Sequence, residues 1–287
     1  MTPGSRTGSA SRLRRRHAAG AVGPARVGHW ARVRIATFNI LHGRSLDDGR
    51  VDVDRLASAV TSLDADVLGL QEVDRDQPRS LGADLTAVAA EAMGAAEHQF
   101  VAALAGTPGG TWRAATGAEQ PGSPTYGIAL LSRYPVISRR VVRLPALRAG
   151  VPLWFRGSRR PTWVSDEPRV AVAAVLDGPF GELTVCTTHL SFLPGWSALQ
   201  LSRLVRWLAG ARQPLVLLGD LNMGPGQAGQ VTGLRSAATA PTFPVDGPRR
   251  RLDHVLVRGG LRATGPAETP RLPLSDHRPL VVPCGPH

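Results

Sequence analysis

Short apolar segments of strand length end or begin at a polar side chain throughout this chain, and this pattern constrains its fold more than any other feature. The polar residues at these points are Asn39, Glu72, His189, Asp220 with Asn222, Asp253, and Asp276 with His277. Residues inside core strands are apolar, so carboxylates and imidazoles at strand ends predict a shared site at one edge of a sheet. Six separate coincidences are less probable than one such site.

The secondary structure predicted around these residues mixes helices with paired strands. Amphipathic helices are expected over residues 52–63, 83–93 and 196–209, and a Gly/Pro/Thr loop over about 105–125. Strands are expected at RVRIATFNI, at DVLGLQEV with its end at Glu72, and at YGIALLS, PLVLLGD, LDHVLV and HRPLVVPC. The segments RVAVAAVL and ELTVCTTHL, separated by DGPFG, predict an antiparallel hairpin. The sheet is therefore mixed, which argues against an all-parallel nucleotide-binding fold.

Composition bounds the class of protein. With 287 residues, 43% hydrophobic and 20% charged, the chain suits one large α/β domain or two small ones and excludes a wholly disordered chain or a coiled coil. Residues 1–31 are rich in Gly, Ser, Ala, Arg and Pro without an apolar period and are expected to be a disordered extension. We expect residues 32–287 to form the catalytic domain.

The net charge of +12 is largely a property of the N-terminus. All 34 cationic residues are arginine, and residues 1–34 hold 8 of them and no acid, leaving 26 Arg against 22 acids in the remainder. This mild basic excess permits an anionic substrate without requiring nucleic acid.

The cysteines and the apolar runs predict the compartment. Cys186 and Cys284 lie in apolar, strand-like stretches, which favours buried reduced thiols, with a disulfide as the alternative. No run approaches the ~18 apolar residues of a membrane span, and AAGAVGPA is too short and too poor in Leu or Phe for a signal peptide. We expect a cytoplasmic monomer without a membrane span.

The donor set at the strand ends is three or four carboxylates, two carboxamides and two histidines, without a Ser or Cys nucleophile at a sharp turn. Oxygen donors favour Mg²⁺ or Mn²⁺, whereas zinc prefers more His or Cys. Each residue alone has a structural alternative: Asn39 as a turn residue, Glu72 as a solvated carboxylate, His189 as a core histidine, Asp253 as an ion-pair partner of Arg251, and Ser275–His277 as a cap.

Several motifs follow one another in the order found in the endonuclease/exonuclease/phosphatase superfamily, which the chain resembles from about residue 33 to 283. They are TFNI with Asn39, QEV with Glu72, YGIALLSR, THL with His189, GDLN with Asp220 and Asn222, LDHV with Asp253, and SDH with Asp276 and His277. The resemblance implies a four-layer α/β/β/α sandwich of two mixed β-sheets with helices outside. It also implies hydrolysis of a phosphoester by water that attacks a metal-bound phosphate, with one or two ions of Mg²⁺ or Mn²⁺.

The same resemblance implies roles for individual residues. Glu72 is the main metal carboxylate, and Asn39 and Asp276 help to hold the metal or its waters. Asp220 and Asn222 position the attacking water and the phosphate. His277, oriented by Asp253, acts as acid/base or charge stabiliser, and His189 contacts the phosphoryl oxygens or protonates the leaving group. Two further residues, Tyr126 and Arg169, are candidate substrate-binding residues.

The resemblance implies a phosphoester substrate: a nucleic acid, a phospholipid headgroup or a small phosphate ester. The form QEVD, where abasic-site repair enzymes frequently read QETK, puts a DNA-repair role in doubt. A non-specific DNA or RNA nuclease is the alternative enzyme, and a nucleic-acid-binding module without catalysis is a further alternative that the complete set of polar residues disfavours.

Two segments are expected to select the substrate: residues 73–81 (VDRDQPRSL) and residues 145–168. The second contains Trp154, Phe155, Arg156, Arg159, Arg160 and Trp163. Aromatic and guanidinium groups can stack on a base or cover a lipid surface. The alternative is that the aromatic side chains fill the core and the arginines form a solvated rim. Finally, neighbouring strands should bring Asp253 within hydrogen-bonding distance of His277, and the pKa of His277 should then exceed ~6.5.

Overall fold

The computed structural model describes Met1, residues 32–154 and residues 158–287, so the predicted disordered extension lies outside the described residues. The strands are β1 (Val33–Asn39), β2 (Val67–Arg75), β3 (Glu97–Ala105), β4 (Arg113–Ala114), β5 (Thr125–Ser132), β6 (Val136–Leu144), β7 (Val151–Leu153), β8 (Thr162–Val164), β9 (Arg169–Gly178), β10 (Gly181–His189), β11 (Leu215–Asp220), β12 (Arg235–Ser236), β13 (Asp253–Arg258), β14 (Leu261–Ala263) and β15 (Leu280–Pro286). The helices are α1 (Val53–Leu63), α2 (Leu85–Met93), α3 (Trp196–Trp207) and α4 (Pro225–Thr232), with 3-10 turns at Leu41–Gly43 and Pro78–Ser80.

Two large mixed sheets form the centre of the described part of the chain. The larger sheet has the order β14-β15-β1-β2-β5-β3-β4 and the smaller one β12-β13-β11-β10-β9-β6, while β7 and β8 pair only with each other. The β1–β2 and β10–β11 pairs are parallel and their other neighbours antiparallel. The predicted hairpin is β9 and β10, joined by a short turn.

Three apolar clusters define four layers. Strand residues that alternate toward the other sheet, such as Ile35 and Val216, fill the space between the two sheets. The opposite face of the larger sheet packs against α1 and α2, and that of the smaller sheet against α3 and α4. A Cβ added to Gly69 would lie 2.2 Å from Leu218 Cδ1, so a glycine is needed where the sheets approach each other. The four-layer α/β/β/α sandwich predicted from the sequence is confirmed.

Local sequence explains where the helices begin. Asp52 and Asp84 precede α1 and α2, and each side chain accepts hydrogen bonds from two backbone N–H groups of the first turn. Such a cap stabilises a helix by about 1 kcal/mol. The apolar face predicted for the first helix is buried, as Leu56 and Leu63 show. Helix α3 ends at Trp207, two residues before the predicted end, because the backbone N–H of Leu208 already closes the last turn.

Two strand predictions are wrong. Strand β2 does not end at Glu72 but continues to Arg75, because a β-bulge at Glu72 lets pairing with β5 resume at Val73. The predicted loop at 105–125 contains the short strand β4, which pairs with the end of β3. Both departures arise from pairing between distant segments, which apolar periodicity does not report.

Two further expectations concern the cysteines and the membrane. Cys186 and Cys284 are buried free thiols, as predicted, and they lie in different apolar clusters. Among the described residues, no helix has the length and apolar character needed to cross a membrane.

Candidate active site

The candidate residues of the smaller sheet form one row across three adjacent strands. His189 is in register with Asp220, and Asp220 is in register with Asp253, at the ends of β10, β11 and the start of β13. Strand alternation turns all three side chains to the face between the sheets, since Val216 and Leu218 point the same way. All three are nearly inaccessible to solvent.

Asn39 at the end of β1 joins this row to the larger sheet. Its Nδ2 donates to Glu72 Oε1 at 3.0 Å and to Asp220 Oδ2 at 3.2 Å, while its Oδ1 accepts from the backbone N–H of Leu41 at 3.1 Å. Because Asn39 is buried and donates from Nδ2 to both carboxylates, it fixes the carboxylates of the two sheets relative to each other.

Glu72 occupies the bulge of β2 in the left-handed region, with φ of +57°. An L-residue other than glycine pays a conformational cost there, of the order of 1–2 kcal/mol. The bulge shifts the alternation of β2, so that Val73 packs on the helix side while Glu72 reaches Asn39 at the opposite side. The strained backbone is therefore what presents this carboxylate at the site.

The environment of Glu72 suits a cation. Burial raises the pKa of its carboxyl group, and the negative charge of Asp276 raises it further, against the hydrogen bond from Asn39. Two carboxylates that repel each other in a half-buried place are stabilised when a divalent cation binds between them. Asn39 Oδ1 accepts one hydrogen bond, from the N–H of Leu41, which leaves its second lone pair for a ligand. The donor set Glu72, Asp276 and Asn39 thus fits a hard metal ion.

His277 and Asp253 form a hydrogen-bonded dyad, as expected from the sequence. His277 Nδ1 lies 2.8 Å from Asp253 Oδ2. Burial lowers the pKa of His277, but the charge and hydrogen bond of Asp253 and the charge of Asp220 outweigh burial and raise it to about 10. The imidazole is therefore protonated at neutral pH.

One potential metal cluster is better explained as a proton-transfer group. Ligand atoms of Asp220, Asp253 and His277 lie within 4.8 Å of one another. A protonated imidazole has no lone pair to offer a metal, and Asp253 Oδ2 already serves His277. Glu72 and Asp276 are a second pair of carboxylates, close enough for the charge of Asp276 to raise the pKa of Glu72.

Asp220 lies between the two histidines. Its Oδ2 is 3.6 Å from His189 Nε2 and 3.7 Å from His277 Nε2, and its Oδ1 accepts from the backbone N–H of Asn222 at 3.0 Å. Burial and then the charge of Asp253 raise its pKa to about 7, against the charge of His277. A carboxyl group with that pKa can accept and release a proton near neutral pH.

Two backbone positions hold Asp220 in place. Gly219 has φ of +138°, and a Cβ there would lie 1.9 Å from the carbonyl oxygen of Thr188. Asn222 also has a positive φ, of +52°, which the Asn side chain tolerates better than most. Its Nδ2 donates to the carbonyl oxygen of Leu190 at 3.0 Å and lies 3.3 Å from His189 Nε2.

His189 is electrically different from His277. Burial and the positive charges of Arg169 and His277 lower its pKa well below 6.5, so this imidazole is neutral. Arg169 Nη1 lies 3.4 Å from His189 Nδ1, and a guanidinium can only donate. Asn222 Nδ2, which can also only donate, lies 3.3 Å from His189 Nε2, so both ring nitrogens face donor groups.

The two candidate substrate-binding residues lie beside this centre. Arg169 is buried, pairs with Glu167 at 3.6 Å and has an Nε that finds no partner among the described residues. Tyr126 is in register with Asp74 on β2, and its ring centroid is 5.6 Å from that of Trp112. Burial raises the pKa of the Tyr126 phenol, and the charge of Glu72 adds to the rise.

Sequence reasoning missed residues that support the dyad. Thr242 Oγ1 donates to Asp253 Oδ2, and the ring of Phe243 lies 4.9 Å from that of His277. The backbone N–H of Arg278 donates to Thr242 O at 2.8 Å, which ties this loop to the segment carrying His277. The surrounding sequence, TAPTFPVD, has no periodicity that could have indicated this contact.

Hydrogen bonds of Asp166 join the segment 145–168 to the residues that follow His189. Asp166 is buried and accepts from Ser191 Oγ, two residues beyond His189, and from the backbone N–H of Leu147. Trp154 and Trp163 are 68% and 72% exposed, so the alternative in which these two side chains fill the core is wrong. Arg159 and Arg160 are exposed, whereas Phe155 and Arg156 lie outside the described residues.

A family model matches most of this chain. The model of the Endonuclease/Exonuclease/phosphatase family matches residues 36–277. No curated protein matches the sequence.

Solved structures share the fold. An endonuclease/exonuclease/phosphatase from Beutenbergia cavernae has 23% identity and a TM-score of 0.62 over 89% of this chain and 72% of its own. A mannosyl-6-phosphatase from Bacteroides thetaiotaomicron has 17% identity and a TM-score of 0.57, covering 88% and 99%. Sphingomyelinase C from Streptomyces griseocarneus has 18% identity and a TM-score of 0.56, also covering 88% and 99%.

Proposed function

The chain belongs to the endonuclease/exonuclease/phosphatase family, and from that premise we propose that it hydrolyses a phosphoester bond with the help of Mg²⁺ or Mn²⁺. The observation that carries the proposal is the position of Asp220 Oδ2 between a protonated and a neutral histidine, with Asn39 linking it to Glu72. A protein that only binds nucleic acid gains nothing from such an arrangement of proton donors and acceptors.

Hydrolysis requires that water lose a proton as it attacks phosphorus. Asp220 Oδ2 is the acceptor in this proposal, because the pKa of about 7 of the Asp220 carboxyl group lets it take that proton near neutral pH. Asn222 and Asn39 hold the two carboxylate oxygens in place through hydrogen bonds. Asp220 thereby presents one lone pair in a fixed direction.

The reaction also places negative charge on the phosphoryl oxygens. The protonated His277, held by Asp253, supplies a positive N–H group on the opposite side of Asp220 from His189. Arg169 supplies a second positive group, and its unpartnered Nε suits a phosphoryl oxygen as acceptor. These groups stabilise charge without the reorganisation that water would require.

The leaving alkoxide needs a proton. The proton that Asp220 takes from the attacking water is available for it, and His189 Nε2 lies 3.6 Å from Asp220 Oδ2. The neutral His189 accepts that proton on one ring nitrogen, and because burial and the neighbouring positive charges make the resulting imidazolium acidic, it passes a proton on to the leaving oxygen.

Glu72 and Asp276, assisted by Asn39, are the residues that we propose hold the metal. The divalent cation supplies charge neutralisation at the phosphate, which otherwise repels an attacking oxygen. The names of two structural neighbours, a mannosyl-6-phosphatase and a sphingomyelinase C, support both a phosphomonoester and a phosphodiester as the class of substrate. The cytoplasmic location and monomeric state expected from the sequence stay predictions.

A substrate panel tests the proposal. Metal-stripped protein is assayed with Mg²⁺, Mn²⁺ or EDTA against bis(p-nitrophenyl) phosphate, plasmid and single-stranded DNA, RNA, sphingomyelin, and sugar and inositol phosphates. We expect cleavage of at least one phosphoester with metal and none with EDTA. Absence of cleavage across the panel by folded, metal-loaded protein would contradict hydrolysis and favour the binding-module alternative.

A further inference from the structure

A second fixed cation lies beside the candidate metal carboxylate, in the segment 73–81 that was expected to select the substrate. Asp74, two residues beyond Glu72 on β2, is buried and accepts from Arg79 Nε and Nη2, each at 2.8 Å. Arg79 belongs to the 3-10 turn Pro78–Ser80, whose neighbour Gln77 is buried and donates to Gly106 O at 2.8 Å. Both ends of the Arg79 side chain are therefore held.

This ion pair uses only part of the guanidinium. Asp74 takes the edge formed by Nε and Nη2, which leaves the edge formed by Nη1 and Nη2 for another bidentate acceptor. Within the described residues Nη1 makes no hydrogen bond, and 32% of the Arg79 side chain remains exposed. An ion pair built only to neutralise Asp74 has no need of a guanidinium with one accessible edge.

Two other side chains surround the same position. The Arg79 guanidinium lies over the ring of Tyr126, with its carbon 5.4 Å from the ring centroid, and Tyr126 is cross-strand to Asp74. His42 is half-buried, and burial together with the charge of Arg79 lowers its pKa to about 4, so it is a neutral hydrogen-bonding group.

The backbone around His42 supports a binding role. Leu41, His42 and Gly43 all have positive φ, and the N–H of Leu41 is bound by Asn39 Oδ1. Strain is therefore held at two non-glycine residues, Leu41 and His42, close to Asn39, and the charge effect of Arg79 on His42 shows that the imidazole lies near this guanidinium. In the described part of the chain, His42 makes no side-chain hydrogen bond, so its ring nitrogens are available to a ligand.

We propose that Arg79, His42 and Tyr126 form an anion subsite that binds a second phosphate group of the substrate, apart from the phosphate that is hydrolysed. The inference rests on the proposed function and narrows its substrate class to phosphoesters with an additional phosphate. The free edge of Arg79 matches two phosphate oxygens, His42 donates one hydrogen bond, and Tyr126 supports the guanidinium. A nucleotide and a sugar bisphosphate both supply this chemistry.

Matched inhibitor pairs test the subsite. Competition against hydrolysis of bis(p-nitrophenyl) phosphate compares thymidine 5′-phosphate with thymidine 3′,5′-bisphosphate, and fructose 6-phosphate with fructose 1,6-bisphosphate. For wild type we expect one bisphosphate to inhibit on the order of tenfold more tightly than its monophosphate. The pair that shows the difference identifies the source of the second phosphate.

Variants assign that preference to Arg79. The ratio of the monophosphate inhibition constant to the bisphosphate inhibition constant should fall to about 1 in Arg79→Met. It should stay reduced in Arg79→Lys, which keeps the charge but loses the second hydrogen-bonding edge. The matched control is Arg75→Met, because Arg75, at the end of β2, also lies over an aromatic ring, that of Phe100. A ratio near 1 for both wild-type pairs, or one that Arg79→Met leaves unchanged, overturns the proposal.

A binding readout separates this proposal from the proposed function. The bisphosphate should shift the ring NMR signals of His42 in wild type and in Arg75→Met, but not in Arg79→Met. Wild type that shows this shift without hydrolysing any ester retains the subsite and loses the proposed function. Wild type that hydrolyses an ester without this shift retains the proposed function and overturns the subsite.

Discussion

Asp253 Oδ2 lies 2.8 Å from Nδ1 of His277, and this contact keeps a buried imidazole protonated. In Asp253→Asn the amide lacks the negative charge, so burial should dominate and the pKa of His277 should fall from about 10 to below 6.5. NMR titration of the metal-free protein measures it. A His277 pKa that stays near 10 in the variant would show that Asp253 does not hold the proton.

The same pair gives a pH dependence of stability. The pKa of His277 is higher in the folded chain than its ordinary value of 6.5, so the pair stabilises the fold fully below pH 6.5 and loses that contribution as the pH rises through about 10. Denaturant unfolding of metal-free wild type should show this decline, and Asp253→Asn should lack it.

Measurements of activity should show that Asp253 and His277 act as one unit in catalysis. Loss of either acid/base partner should lower kcat by a similar factor, on the order of 10² to 10⁴, and the double variant should lose little more than the worse single variant. The assay uses saturating metal. Multiplication of the two single losses would instead mean that Asp253 and His277 contribute separately.

The negative charge of Glu72 should favour metal binding and destabilise the metal-free fold. Glu72→Gln keeps an oxygen for Asn39 but removes the charge that a hard cation requires, so metal affinity and turnover should both fall. Because burial and Asp276 raise the pKa of Glu72, its charge destabilises the metal-free fold above its ordinary pKa of 4.5. Metal-free Glu72→Gln should therefore be more stable than wild type at pH 7.

Calorimetric metal titration and denaturant unfolding in EDTA measure these two effects. Glu182→Gln is the control, since Glu182 is a glutamate at the far end of β10 that pairs with Arg212. Wild-type activity of Glu72→Gln at limiting Mg²⁺ would exclude Glu72 as the metal ligand.

Gly219 tests how strictly the backbone positions Asp220. In Gly219→Ala the Cβ would overlap the carbonyl oxygen of Thr188 and the backbone would remain at a positive φ, so unfolding free energy should fall by about 2 kcal/mol or more. Gly210→Ala, where a Cβ meets no atom within 4 Å, should change it little. Equal stability of the two variants would show that β10 and β11 separate easily.

The sequence predicted the fold and the strand ends at which the candidate site residues lie, because a polar residue after an apolar run is a local signal. Asn39, His189 and Asp220 all end strands as expected, and parallel or neighbouring strands bring such ends together. The bulge at Glu72 was not predictable, because no glycine marks it and its positive φ depends on pairing with β5.

Contacts between distant segments also escaped prediction. Thr242 reaches Asp253 through a loop whose path depends on Arg278, and Arg79 meets Tyr126 only after β2 and β5 pair. The exposure of Trp154 and Trp163 follows from β7 and β8 pairing with each other and with neither large sheet, which composition does not reveal.

Deletion of the N-terminal segment tests whether catalysis requires it. Residues 2–31 contain no motif of the site, and the family match begins at residue 36. Deletion of residues 2–31 should leave kcat and KM for bis(p-nitrophenyl) phosphate unchanged. A large fall in specific activity of a deletion variant that unfolds at the wild-type denaturant concentration would show that this segment takes part in function.

Isotope transfer from solvent tests most directly whether this site uses water to break a phosphoester bond. Metal-loaded protein is incubated with a cleaved ester from the panel in H₂¹⁸O, and the products are analysed by mass spectrometry, with EDTA-treated protein alongside. We predict one ¹⁸O atom in the phosphate product, none in the alcohol, and no product with EDTA. Label in the alcohol, or cleavage that persists at full rate in EDTA, would contradict metal-assisted attack of water at phosphorus.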